Sequence, residues 1–383
     1  MNTLARPPLG LYLHTPWCVR KCPYCDFNSH RAPETVPEAA YLNALLDDLD
    51  ADLRWLPPQS VSTIFIGGGT PSLMSADFYR QLFQALSERL DMSKLTEVTL
   101  EANPGTFEQA RFDAYRELGI NRLSLGIQSF QDHHLQKLGR IHDSSNAHDA
   151  IRAAQRAGFD RINLDLMHGL PGQTAAEARA DLEAALNYQT GHVSWYQLTL
   201  EPNTAFYSSP PVLPDEDTLS EILATGRDTL VNAGLRDYEI SAWSRPGQES
   251  RHNLNYWQFG DYLALGAGAH GKVTLPGESR VQRYWKTRQP EAYLNRIGSR
   301  SAGRNEIPRN ELPLEFMMNA LRLTDGVPSA RFSERTGLPL SEIEGILRAL
   351  TRDNLLQSDY TETLAPTAAG RLYLNDILER FVP

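Results

Sequence analysis

The chain is 383 residues long, carries a formal net charge of −10, and is 41% hydrophobic and 22% charged. That profile fits a soluble globular chain too long for one ordinary domain, and the acidic balance argues against general affinity for nucleic acid or anionic lipid. No apolar run approaches the length of a transmembrane helix, and the first 17 residues, with one Arg, are not expected to be a cleavable signal peptide.

Leu9–His14 reads as a short strand, and the run Trp17-Cys18-Val19-Arg20-Lys21-Cys22-Pro23-Tyr24-Cys25 follows it closely. It holds all three cysteines of the chain, spaced C-x3-C-x2-C. An odd set of closely spaced thiols is no disulfide framework, so a reducing, cytoplasmic setting is expected. Thiolates held in a tight arc suit a soft metal site, either an iron–sulfur cluster or zinc. Zinc with His14 or His30 as fourth ligand is the plainer alternative, but structural zinc prefers two separated ligand pairs. Three ligands leave one corner of a cubane cluster open for another molecule.

Next comes an amphipathic stretch, Pro37–Leu53, with apolar residues at helical spacing. Strand-like runs follow at Val61–Ile66, Val98–Glu101, Asn121–Ile127, Arg161–Leu166 and His192–Leu200. Between them, Ala76–Leu90, Phe107–Leu118 and Asn146–Ala157 read as helices. Six β-then-α units predict a parallel sheet with helical crossovers, two units short of a full barrel. Polar and glycine residues cluster where strands end: Gly67-Gly68-Gly69-Thr70, Glu101-Ala102-Asn103-Pro104, Gln128-Ser129, Asp165 and Glu201-Pro202-Asn203. Barrel-type α/β proteins build their sites on that C-terminal rim.

Ser208–Pro214 is proline-rich and ends the repeating region. Asp215–Ala233 then predicts a helix, Tyr238–Ala242 a strand, and Ser301–Pro313 a boundary. Beyond it three helical patterns are expected, one opened by a capping box at Ser341-Glu342-Ile343-Glu344. A β-wing at Leu355–Leu364 and a final helix complete a winged-helix-like order. Residues 305–383 nevertheless carry eight Arg, no Lys and twelve acidic residues. A DNA reader should present a basic face, so this segment is expected to be structural or to dock a partner. The expected division is 1–300 and 305–383.

The cysteine loop, with Tyr24 before its last cysteine and a strand in front, resembles the signature of the radical S-adenosylmethionine (SAM) superfamily. The resemblance implies an α/β fold, a partial (β/α)6 barrel with the winged-helix-like α+β domain behind it. It also implies a [4Fe–4S] cluster on Cys18, Cys22 and Cys25, whose open iron is chelated by SAM and whose electron cleaves SAM to a 5′-deoxyadenosyl radical. Within the superfamily, Tyr12, Tyr24, Gly68, Gly69, Thr70, Glu101, Gln128, Arg140 and Asp165 resemble SAM-site positions of the oxygen-independent coproporphyrinogen III oxidases and their relatives. Glycine admits a ligand close to the backbone, carboxylates accept from hydroxyl or ammonium groups, and Arg140 suits a carboxylate.

The true oxidases carry a further cysteine two residues after the third, where this chain has Phe27, and a longer N-terminal segment. The phrases Pro23–His30, Asn163–Pro171 and His252-Asn253-Leu254-Asn255-Tyr256-Trp257 instead resemble the HemW family of radical-SAM-type heme chaperones. That resemblance implies heme as a third bound group, apo-hemoproteins such as respiratory enzymes as acceptors, and no coproporphyrinogen oxidase activity. A monomer or homodimer would serve. It assigns the segment His252–Trp257 to heme. A lone histidine beside Asn, Tyr and Trp is more often a hydrogen-bonded core residue, although imidazole is a common axial ligand and Tyr256 and Trp257 could wall a macrocycle. His270, in Gly268-Ala269-His270-Gly271, is a second candidate.

Overall fold

The structure is a computed structural model and describes residues 4–105 and 111–383. Six strands form in the expected order: β1 (Leu9–Thr15), β2 (Val61–Gly68), β3 (Glu97–Ala102), β4 (Arg122–Gln128), β5 (Ile162–His168) and β6 (Gly191–Gln197). Each pairs in parallel with the next. Helical crossovers Glu38–Asp52, Ala76–Arg89, Phe112–Glu117, Ser144–Arg156 and Ala175–Leu186 cover one face. The first residues of the expected helix Phe107–Leu118 lie outside the described residues.

Side chains alternate across each strand with period two. One set, including Leu11, Leu13, Ile64, Ile66, Leu100, Leu123, Leu125, Leu164 and Leu166, is buried under the helices against Leu45, Leu49, Leu82, Ile151 and Leu182. Truncating any of these leucines to alanine costs about 2–5 kcal/mol. The other set, including Tyr12, Thr63, Phe65, Glu101, Ser124, Asp165 and Ser194, turns to the barrel interior. This second face is polar, which is why the strands read as alternating rather than continuously apolar.

Four further strands were not legible in the sequence as a group: Asp261–Leu265, His270–Leu275, Arg280–Lys286 and Ser301–Glu306. The first pairs in parallel with β1 on its free edge, and the others continue antiparallel from it. Their buried charges disguise them. The Lys286 ammonium lies 2.7 Å from Asp48 and 2.6 Å from Asp52 of the first helix, and the Lys272 ammonium lies 2.8 Å from Asp261. The expected strand Tyr238–Ala242 is two short strands, Arg236–Glu239 and Ala242–Ser244, which pair antiparallel on the β6 edge.

A second apolar core gathers Ile307, Phe316, Phe332, Leu347, Leu350, Leu356, Leu364 and Ile377, with Phe259, Val281 and Leu4. Its helix Glu344–Arg352 begins after a 3-10 turn, Leu340–Glu342, and has no side-chain cap. The expected capping box is therefore absent: Ser341 lies inside that turn, one element too early. The expected wing shrinks to Thr363–Leu364, paired with Val327–Pro328, and the final helix breaks into Ala368–Leu372 and Leu374–Glu379. No helix among the described residues is long and apolar enough to cross a membrane.

Candidate active site

The strand order aims the sequence-selected residues at one mouth. Cys18, Cys22, Tyr24, Cys25, Gly68, Gly69, Thr70, Glu101, Gln128, Arg140 and Asp165 all line a cavity of about 230 Å³ at the C-terminal ends of β2 to β6. Tyr12 is set deeper. Its hydroxyl is 2.9 Å from His14 Nδ1, and His14 Nε2 is 2.9 Å from the Asn28 carbonyl oxygen behind the cysteine loop. With both ring nitrogens engaged, His14 is not a fourth metal ligand. His30 Nε2 is likewise engaged, at 3.1 Å from Asn28 Oδ1.

The cysteine loop is held between two short strands, Trp17–Cys18 and His30–Arg31, which pair in parallel. Each sulfur faces a polar neighbour: Thr70 Oγ1 is 3.5 Å from Cys18, Arg140 is 3.7 Å from Cys22, and Ser29 Oγ is 3.6 Å from Cys25. Two of these neighbours are joined. Asn103 Nδ2 donates to Thr70 Oγ1 at 3.0 Å, and Arg140 donates to Asn103 Oδ1 at 2.5 Å. A continuous polar belt, Thr70–Asn103–Arg140, thus spans from one cysteine to another. Asn103 was visible in the sequence only as a rim residue, and Ser29 only as part of the phrase Pro23–His30; Ser124 and Tyr196 gave no signal, since single polar residues on strands look alike.

The donor set fits a thiolate-ligated cluster. Burial pushes the Cys18 and Cys25 thiols up, so thiolates here call for a bound cation. Among the described residues, the one set of three ligating side chains with donor atoms within 4.8 Å of one another lies elsewhere, at His133, His134 and Glu177. The cysteine sulfurs are not gathered as a lone zinc ion would gather them. Arg140 Nε is buried without a hydrogen-bond partner among the described residues, leaving a donor available inside the mouth.

The glycines are required by space. Gly68 has φ +113°, and a Cβ there would meet the His14 ring at 2.7 Å. At Gly69 a Cβ would meet the Trp17 carbonyl oxygen at 2.5 Å. The Gly68 N–H donates to Glu101 Oε2 at 3.1 Å. Burial, with Asp165 nearby, raises the Glu101 pKa to about 8. Asp165 is also raised by burial, although Ser124 and Asn163 donate to it at 2.9 and 2.8 Å.

A proton held more tightly in the folded chain gives a signed expectation. The neutral Glu101 costs nothing below its ordinary value of 4.5, and the penalty grows as pH rises to about 8. Glu101→Gln is therefore expected to raise the thermal midpoint of the ligand-free chain above that window and to leave it unchanged below. Melting curves on the two sides of the window check this; equal shifts on both sides would contradict it.

Gln128 ends β4 in the left-handed region, with φ +69°, after a register shift against β5. Its Oε1 accepts from the Tyr196 hydroxyl at 2.7 Å. Such a conformation costs a non-glycine residue about 1–2 kcal/mol and is typical of functional sites. Gln128→Gly is expected to keep or raise stability, by up to about 1 kcal/mol, while weakening in calorimetry the SAM binding that the sequence resemblance implies for this position. A Gly variant with full SAM affinity would show that the amide is not used.

His252 lies at the other end of the barrel. It is fully buried, with Nδ1 2.8 Å from Thr63 Oγ1 and Nε2 2.9 Å from the Tyr256 hydroxyl. The buried Glu97 carboxylate accepts from the Arg251 and His252 N–H groups at the start of helix Arg251–Trp257. Trp257 is covered by the Arg322 guanidinium, 4.3 Å from its ring centroid. Burial lowers the His252 pKa to about 3. In this arrangement both His252 ring nitrogens are engaged in core hydrogen bonds, so the expected heme contact of His252, with Tyr256 and Trp257 as apolar wall, would need them released. His270 is exposed, with its ring stacked on Trp285 at 6.5 Å.

Comparison with known proteins gives a consistent result. Residues 12–185 match the family model "Radical SAM superfamily", and residues 307–373 match "HemN C-terminal domain". The chain is 46% identical over 380 residues to "Heme chaperone HemW" of Haemophilus influenzae, covering 98% of each. It is 46% identical over 379 residues to the protein of the same name in Escherichia coli, again with 98% of each covered. Among solved structures it resembles Escherichia coli coproporphyrinogen III oxidase (HemN), described as a radical SAM enzyme, with TM-score 0.82 and 21% identity over 98% of this chain and 90% of that one. That likeness shows the radical SAM fold, with its parallel sheet and C-terminal domain.

Proposed function

The chain belongs to the HemW family of radical SAM proteins, and on that premise we propose that it is a cytoplasmic heme chaperone that takes up heme and passes it to apo-hemoproteins such as respiratory enzymes. The observation that carries this reading is full-length similarity to heme chaperones, together with Phe27, 58% exposed, where the oxidases would have a further cysteine. Cys18, Cys22 and Cys25 would hold a [4Fe–4S] cluster, which when bound with SAM supplies one-electron chemistry. Gly68, Gly69, Thr70, Glu101, Gln128, Arg140 and Asp165 would bind SAM, with Tyr24 beside the cluster and Tyr12 supporting the loop through His14. Arg140 fixes the mouth by bridging Asn103 and the Gly126 carbonyl. Residues 1–300 would form the cofactor-bearing unit, and 305–383 a docking unit for the acceptor.

For the cargo, an accessible imidazole is His270, beside the flat face of Trp285, its pKa lowered by partial burial and by the Arg283 and Arg288 guanidinium groups. An imidazole, an aromatic plane and a guanidinium match the iron, ring and propionates of heme. Heme titration is expected to show a shifted Soret band and weaker binding in His270→Ala. The result that would return the ligand role to His252 is an unchanged spectrum in His270→Ala, with heme lost from a folded His252→Ala. In that case helix Arg251–Trp257 must leave the barrel floor to bind. The competing activity is tested by anaerobic incubation with coproporphyrinogen III, SAM and reductant. No protoporphyrinogen is expected, and catalytic formation of it would replace the chaperone reading with the oxidase.

A further inference from the structure

Away from the mouth, His133 and His134 stand side by side on helix Asp132–Lys137, their ring centroids 4.0 Å apart. Both face Glu177 in the first turn of helix Ala175–Leu186. His133 Nε2 is 3.2 Å from Glu177 Oε1, and His134 Nε2 is 3.7 Å from Glu177 Oε2. The donor atoms of all three side chains lie within 4.8 Å of one another. The second, independent feature is His134 itself: its side chain is fully buried, yet neither ring nitrogen has a hydrogen-bond partner among the described residues. A buried imidazole that makes no hydrogen bond, its only polar contact being Glu177 Oε2 at 3.7 Å, is poorly satisfied, and a bound ion would complete it.

We propose that His133, His134 and Glu177 form a binding site for a divalent cation of the zinc class, held by the Nε2 atoms of both imidazoles and by Glu177 Oε1. Two imidazoles and one carboxylate are a common ligand set for such ions, with further positions left to water. Binding does not dismantle the local fold. Glu177 Oε2 accepts from Thr174 N–H and Oγ1 at 2.8 and 2.9 Å as the helix cap, while Oε1 stays on the histidine side. His133 is 51% and Glu177 31% exposed, so an ion has a way in.

The site has a structural consequence for the mouth. Helix Asp132–Lys137 runs through Leu138 and Gly139 directly into Arg140. The Gly139 carbonyl accepts from Arg20 of the cysteine loop at 2.6 Å, and Arg140 reaches the Cys22 sulfur. A cation clamping this helix to Ala175–Leu186 therefore steadies the segment that contacts the cysteine loop. The inference does not depend on whether heme is the cargo.

The test uses the full-length chain with its cluster reconstituted anaerobically, dialysed to equilibrium against Zn²⁺, with zinc and iron both measured. The wild-type chain is expected to take up a single zinc without losing iron. His133→Ala, which removes a half-exposed ring, and Glu177→Gln, which keeps an N3 side chain able to cap, should each weaken zinc binding by at least about tenfold. Wild-type zinc affinity in both variants would overturn the proposal, as would zinc uptake only at the expense of iron, or no stoichiometric uptake at all.

Discussion

Cys22→Ala is expected to abolish the cluster. The wild-type chain should take up about four irons after anaerobic reconstitution, and the variant far less than one, with loss of the visible absorption. The reason is the thiol count: the chain has three cysteines, and with one gone the remaining two cannot hold a cubane. Cys22 is also the sulfur that Arg140 approaches at 3.7 Å, so its removal frees the end of the belt through Asn103 to Thr70. Far-ultraviolet circular dichroism should change little, since the loop contributes only the two-residue strands Trp17–Cys18 and His30–Arg31. Full iron content in the variant, or stoichiometric zinc with no iron in the wild type, would contradict the assignment of the loop.

That site was legible because its chemistry is written locally. Cys18, Cys22 and Cys25 are neighbours in sequence, and glycine at Gly68 and Gly69 marks a close approach in any fold. The strands β1 to β6 were legible from their buried faces, with ends displaced by up to three residues. Other features depend on partners distant in sequence and could not be read. Lys286 looks like a surface residue until Asp48 and Asp52 close around it from a helix more than two hundred positions away. Asn103 matters because Thr70 and Arg140 meet it in space. His252 is the converse case. Its motif announces a special position, but only the fold shows that Thr63 and Tyr256 have taken both nitrogens.

His252→Ala is expected to destabilise the fold by about 2–5 kcal/mol, the range for emptying a well-filled buried site and orphaning its polar neighbours. The ring fills its space closely. A Cβ on Gly10 would come within 2.9 Å of His252 Cε1, and the ring also packs against Phe65 at a centroid distance of 5.3 Å. Removing it leaves the Thr63 and Tyr256 hydroxyls facing a void. The substitution should also change the acid limb of stability. His252 must stay neutral in the folded chain, with a pKa lowered from 6.5 to about 3, so its contribution is complete above 6.5 and is lost as pH falls toward 3. The variant should lose less stability over that interval than the wild type. Chemical denaturation across it measures both effects, and a variant as stable as wild type would mean that the helix Arg251–Trp257 is not docked on the barrel floor in solution.

Heme passed intact to an acceptor distinguishes a chaperone from a porphyrinogen oxidase, and a transfer measurement reads it out. The anaerobically reconstituted chain is loaded with heme, freed of excess, mixed with an apo-hemoprotein, and the Soret band of each partner is followed after separation. Heme is expected to leave this chain and appear in the acceptor, with acceptor activity rising in step. Heme that never binds at stoichiometric levels, or that binds and is not passed on while coproporphyrinogen III is turned over, would contradict it.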